Sequence, residues 1–162
     1  MALITLTTDF GDSSPYGAVM KGVILSINPA AQIVDLSHQI RPQDLRHACY
    51  FLGTAVPYFP AGTIHLCVID PGVGSERAAI CAAVGGQFLI GPDNGIFTGV
   101  FDRCGAPESV RSLAEPRFWR QPVSDTFHGR DIFAPIAAHL SLGLDPCQLG
   151  PEAKPAHPAV HL

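Results

Sequence analysis

Charge is scarce in this sequence: 15% of its 162 residues are Asp, Glu, Lys or Arg, and the formal charge at neutral pH is -4. The missing basic excess argues against nucleic acid as a partner, and the missing acidic excess argues against a disordered chain. Paired cysteines are lacking as well. Cys49, Cys67, Cys81, Cys104 and Cys147 are odd in number, scattered, and contain no C-x-x-C, so they form neither a disulfide framework nor a redox pair. Cys49, Cys67 and Cys81 sit inside apolar segments, where a free thiol behaves as a small hydrophobe. Long hydrophobic runs are absent too. The N-terminal "MALITLTTDFGD" has neither a charged leader nor a membrane-length apolar stretch, so the expected location is the cytoplasm, with no membrane partner.

What is present is an apolar chain, 47% hydrophobic, long enough for one domain with a real core. "LITLTT" (3–8) reads as a buried strand that runs into the turn formers "DFGDSSPYG". Tyr16, Val19, Met20, Val23, Ile24 and Ile27 fall at helical spacing, and Asn28-Pro29 ends the pattern. "QIVDLS" (32–37) is a second strand. A helix is expected from near Pro42, with Leu45, Ala48, Cys49 and Leu52 on one face, until Pro57 and Pro60 break it. "TIHLCVID" is a third strand, and "AAICAAV" and "QFLIGP" form a hairpin joined at Gly85-Gly86. "PDNGIFTGVF" is a short helix or turn, residues 104–122 look irregular, and "DIFAPIAAHLSLG" supplies a last helix. The strand–helix alternation followed by a hairpin predicts an α/β fold with a mixed, mostly parallel sheet flanked by helices. The domain is expected over residues 1–150. The Pro/Ala-rich remainder, 151–162, reads as a linker.

In such sheets ligands collect beyond the carboxyl ends of the strands, where this chain places Asp9, Asp35 and Asp70. Asp70 ends an apolar strand and is followed by Pro71, Gly72, Val73 and Gly74. Arg77 lies where the next strand begins and can fold back to pair with it. Such a pair either fixes the loop or serves chemistry, and spacing alone leaves both open. In "SDTFHGRDIFAP", His128 stands just before a helix N-terminus, which favours a neutral ring. Asp9, Asp12, Asp35, His38, Asp70, Asp93 and His128 are the residues available for a metal, but no pair has the spacing of a recurrent site such as H-E-x-x-H. "GVGSE" is not G-x-S-x-G, and no lysine follows the glycines to make a P-loop.

Taken together, "TLTTDFG", "MKGVILSINP", "IVDLSHQIRPQDLRHACYFL", "YFPAGTIHLCVIDPGVGSER", "GPDNG" and "FHGRDIFAP" resemble, in order, the S-adenosyl-L-methionine (SAM) hydroxide adenosyltransferases, or SAM hydrolases, relatives of the SAM-dependent fluorinase and chlorinase. The resemblance implies cleavage of SAM to adenosine and L-methionine by water or hydroxide at the ribose 5′ carbon, with SAM as substrate and no cofactor. It implies a mixed α/β N-terminal domain followed by a C-terminal β-barrel, assembled as a homotrimer. Position by position, it puts the catalytic set on Asp70, Arg77 and His128 and the ribose-binding carboxylate on Asp9, with Phe127, Gly129, Asp93 and Asn94 lining the pocket. A carboxylate at the nucleophile position tolerates water and repels halide, which sets hydrolysis above halogenation. The family's barrel is expected to be absent from this chain. The alternative function is therefore a non-catalytic trimerisation or half-site module, with a separate chain bearing the C-terminal domain as a partner.

Overall fold

The structure, a computed structural model, describes residues 2–155. Strand β1 (Leu3–Thr8) is buried on both faces from Ile4 onward, and β3 (Ile64–Val68) along its whole length. Burial on both faces is what a continuous apolar run needs in a sheet covered on two sides. The order in the six-stranded sheet is β2-β1-β3-β5-β4-β6. Strand β2 (Gln32–Ser37) and β3 both pair parallel with β1, and β5 (Gln87–Pro92) pairs parallel with β3. Strand β4 (Ala79–Val84) is antiparallel to β5 through the hairpin at Gly85-Gly86, and β6 (Ser109–Ser112) is antiparallel to β4. The sheet is therefore mixed.

The two-residue side-chain alternation of β1 and β3 divides the core. Ile4, Leu6, Ile64 and Leu66 face one layer, packed against Met20 and Ile24 of α1 (Tyr16–Ile27) and Ile136 and Ala137 of α4 (Ala134–Ser141). Cys67 and Ile69 face the other, with Leu52 of α2 (Leu45–Ala55) and Val100 of α3 (Thr98–Cys104). Helices α2 and α3 approach so closely that a Cβ on Gly99 would lie 2.4 Å from the Cys49 carbonyl oxygen, and Gly99 N–H donates to Cys49 Sγ at 3.1 Å. Cys49, Cys67 and Cys81 are buried free thiols. Burial pushes all three up, Cys81 to about 12.

Four local features differ from the sequence expectation. Helix α2 begins at Leu45 rather than near Pro42, because Asp44 caps it by accepting the His47 N–H at 2.9 Å. The stretch expected to be irregular contains β6, which has one buried apolar residue, Val110, and so little hydrophobic pattern. A single wide turn of π-helix, Gly129–Phe133, precedes α4. The start of the expected linker lies along β6: Ser112 N–H donates to Pro151 O and Ala153 N–H to Val110 O, each at 2.9 Å. Residues 156–162 of that segment lie outside the described residues. Among the described residues no helix is long and apolar enough to cross a membrane.

Candidate active site

Neighbouring strands β1 and β3 send the chain in opposite directions, from β1 to β2 on one side and from β3 toward β4 and β5 on the other. This is the topological switch point of an open α/β sheet, and a crevice opens beyond the strand ends there. It forms a cleft of about 170 Å³, lined by Asp9 and Phe10 after β1, Gln43 before α2, Val68, Asp70 and Val73 at the end of β3, and Thr126 to Gly129 before α4.

Asp70 and Arg77 make a two-pronged ion pair. Arg77 Nε donates to Asp70 Oδ1 at 2.8 Å, and Nη2 donates to Oδ2. The same Nη2 donates to His128 Nδ1 at 2.9 Å. The side chains of Asp70 and Arg77 are only 5% and 13% exposed, and the guanidinium lies over the Phe133 ring at 5.5 Å. Asp70 and His128 line the cleft, whereas Arg77 does not; it bridges them from outside the lining. A guanidinium has no acceptor, so its bond to Nδ1 requires a lone pair there, which places the proton of the neutral ring on Nε2. The imidazole is held below its ordinary range by burial first and by Arg77 second, with Asp70, Asp131 and Asp125 pulling the other way. Burial and a cation thus keep the ring neutral, where the sequence suggested a helix terminus.

The turn after Asp70 is shaped by two constraints on one residue. Gly74 has φ +75°, and a Cβ there would sit 2.3 Å from the Asp125 carbonyl oxygen. Only glycine satisfies both. This contact docks the 70–77 turn against the loop that carries His128. Across the cleft, Asp9 Oδ2 accepts the Gln43 N–H at 2.8 Å. Gln43 adopts φ 60°, an uncommon conformation for a residue with a side chain, and one that concentrates at functional sites.

Asp70, Arg77 and His128 are thus brought together, and Asp9, Phe127 and Gly129 share their cleft. Asp93 and Asn94 are not among the residues that line this cleft; they follow β5, one strand beyond β3. Asn94 Nδ2 instead donates to Ile69 O at 2.9 Å, bracing the strand end that presents Asp70, and Asp93 N–H donates to Ala78 O at 2.9 Å beside Arg77. Phe10, Gln43, Val68, Val73 and Thr126 join the lining without having been expected there. A polar residue within "RPQD" carries no signal of a left-handed backbone. Among the described residues no three His, Cys, Asp or Glu side chains gather as a metal-binding set.

Comparison with known proteins adds a second, independent line. Residues 4–150 match the family model of the SAM hydroxide adenosyltransferase N-terminal domain. The chain is 46% identical over 160 residues to the (R)-S-adenosyl-L-methionine hydrolase of Thermus thermophilus, covering 94% of this chain and 62% of that protein. It is 46% identical over 143 residues to the enzyme of the same name from Methanocaldococcus jannaschii, covering 85% of this chain and 52% of that one. A fluorinase of Actinoplanes is more distant, at 26% identity over 91% of this chain and 57% of the fluorinase. The crystal structure of a conserved Thermotoga maritima protein superposes with a TM-score of 0.94 at 38% identity, covering 99% of this chain and 62% of that one. The chain therefore spans little more than half of the length of the relatives it matches. With a model match over nearly the whole chain and an ion-paired site at the switch point, the chain belongs to the SAM hydroxide adenosyltransferase family.

Proposed function

We propose that the cleft is the N-terminal half of a SAM hydrolase site, cleaving SAM to adenosine and L-methionine. The observation that carries this reading is the bidentate Asp70–Arg77 pair tied to His128 at the strand ends, with Asp9 facing it across the cleft. Water attacks the ribose 5′ carbon: the new C5′–O bond forms as the C5′–S bond breaks, and its electron pair returns to sulfur. The sulfonium leaves as a neutral thioether, so no acid is needed at the departing atom. The proton lost by water passes to the Asp70 carboxylate and then to solvent. His128, with its proton on Nε2, donates to the attacking oxygen and orients it, while Arg77 keeps both groups in place. Asp9 accepts hydrogen bonds from the ribose diol, its carboxylate steadied by Gln43 N–H. The displacement as written calls for no cofactor, and the negative field of Asp70 disfavours a halide nucleophile.

A cleft of about 170 Å³ is small beside the roughly 300–1,000 Å³ of typical ligand pockets. Together with the length of the relatives, this supports a site completed by a C-terminal domain, on a longer chain or on a separate one; assembly as a cytoplasmic homotrimer is proposed from the family resemblance alone. The small cleft also favours one second reading, a half-site module that assembles without turning over SAM. The test is incubation of the protein with SAM in ¹⁸O-water, alone and with an added C-terminal domain. The hydrolase predicts adenosine labelled at the 5′ hydroxyl, with methionine in equal amount. No adenosine above the protein-free blank in either arm, and no heat with millimolar SAM in a calorimeter, favours the module. Light scattering reads the trimer.

A further inference from the structure

Asp131 is a charged group for which the proposed reaction has no use. It lies three residues after His128 in the wide turn, and its side chain is fully buried. Four donors converge on it. Oδ1 accepts from Arg130 Nε at 2.7 Å and Arg120 Nη1 at 3.3 Å, and Oδ2 from Arg130 Nη2 at 3.0 Å and Ser124 N–H at 2.8 Å. Its backbone closes the same loop: Arg120 N–H donates to Asp131 O at 2.8 Å, and Asp131 N–H to Phe127 O at 3.2 Å. Burial opposes its ionisation, but the bonds from Arg130 and Ser124 prevail and hold the carboxyl below its usual range. The segment clasped between Arg120 and Asp131 contains Thr126, Phe127 and His128, one wall of the cleft. The extra residue of a π-turn, a feature frequent at functional sites, sits within this clasp.

We infer that Asp131 is a positioning residue for His128, its ionised carboxylate clasping the 120–128 loop so that the imidazole Nδ1 meets Arg77. The inference deepens the hydrolase reading and rests on it for its catalytic meaning alone. The charges facing His128 are Arg77 from the β3–β4 turn, Asp70 from the end of β3, Asp125 from its own loop and Asp131 from the wide turn, with Asp9 lining the same cleft. Arg130, on the same turn, is bonded to Asp131. Removing Asp131 subtracts a negative charge from this set.

The His128 ring-proton NMR titration is compared in the wild type, Asp131→Asn and Arg130→Gln. If the clasp holds Nδ1 against Arg77, Asp131→Asn frees the ring from that cation and the midpoint should rise by about half a pH unit, whereas loss of a negative charge alone would lower it. In SAM turnover, Asp131→Asn should lower kcat with KM changed less than about twofold, and carry the acidic limb of the pH profile up with the His128 midpoint. A midpoint that falls or stays put reduces the carboxylate to a distant charge or a structural anchor and overturns the inference. If Asp131→Asn does not fold, the ring ¹⁵N shifts of His128 in Arg130→Gln, which removes two of the clasp's donors, decide: loss of the pure Nε2–H tautomer supports the inference and its retention overturns it. If the wild type hydrolyses no SAM, the proposed function fails, while the titration still decides whether Asp131 positions His128.

Discussion

Two polar clusters, each centred on a histidine, hang from the same strand. Within β3, His65 is fully buried: its Nδ1 meets Thr5 Oγ1 at 2.7 Å on β1, and its Nε2 meets Gln87 Oε1 at 2.6 Å on β5. Beyond the end of β3, Arg77, itself paired with Asp70, holds His128 by Nδ1 alone among the described residues. Both rings are kept neutral, His65 by burial, which lowers it to about 4 against the pull of its Gln87 bond, and His128 by burial together with Arg77. The difference lies in what each ring has left to offer. His65 spends both nitrogens on neutral partners and stitches three strands together. His128 spends one nitrogen on a cation and stands beside a cleft. Depressed basicity alone therefore does not mark a reacting group; a nitrogen left for a substrate does.

Substitutions should separate the two clusters. The largest effect is expected from Asp70→Ala, which should lower kcat/KM for SAM by about 10³-fold or more, about 4 kcal/mol of transition-state stabilisation, measured by adenosine release. The same variant should leave the acid sensitivity of the fold, set in part by His65, unchanged. That sensitivity comes next. The folded-state value of His65 lies below the ordinary 6.5, so the unfolded chain takes up the proton first as pH falls. Stability should be unaffected by this residue above pH 6.5 and should drop by roughly 3 kcal/mol on going down to about pH 4. Urea unfolding across this range should show the slope in the wild type and a shallower one in His65→Gln. An equal slope in both removes His65 from the acid response. The smallest effect is expected from Arg77→Lys, which keeps the charge but loses the fork that reaches Asp70 and His128 at once. A 10- to 100-fold fall in kcat, about 2 kcal/mol, is expected, with the acid slope unaltered. A lysine variant as active as wild type would reduce the bidentate geometry to loop support.

How far the sequence reveals this molecule depends on how local the governing interaction is. β1, α1 and the β4–β5 hairpin are written in short-range periodicity and in a Gly-Gly turn, and they appear where the pattern puts them. β6 escapes because its single buried side chain, Val110, makes no pattern, and its partners lie in β4 and at 151–153. At the site, Asp70 and Arg77 are legible because a glycine turn of fixed length returns one toward the other. That His128 joins them is legible only through resemblance, since 51 residues separate it from Arg77. Asp93 and Asn94 show the converse: the "PDNG" turn is plain in the letters, but strand order, which they do not spell out, puts it one strand beyond β3. Asp131 is half legible. A lone carboxylate entering the apolar run "DIFAPIAA" asks what neutralises it; one answer, Arg130, is its neighbour in sequence, but the others, Arg120 and Ser124, come from a loop whose path no periodicity predicts.

The crevice between β1 and β3 exists because α1 and α2 leave for opposite faces of the sheet, so Asp9, Asp70 and His128 at its rim lie past the ends of strands, outside the apolar clusters that seat the two helical layers. Selection can thus exchange the attacking species without re-solving the folding problem. Hydrolases at 46% identity and a fluorinase at 26% align along nearly the same span of this chain, as a chassis that outlasts changes of nucleophile would require.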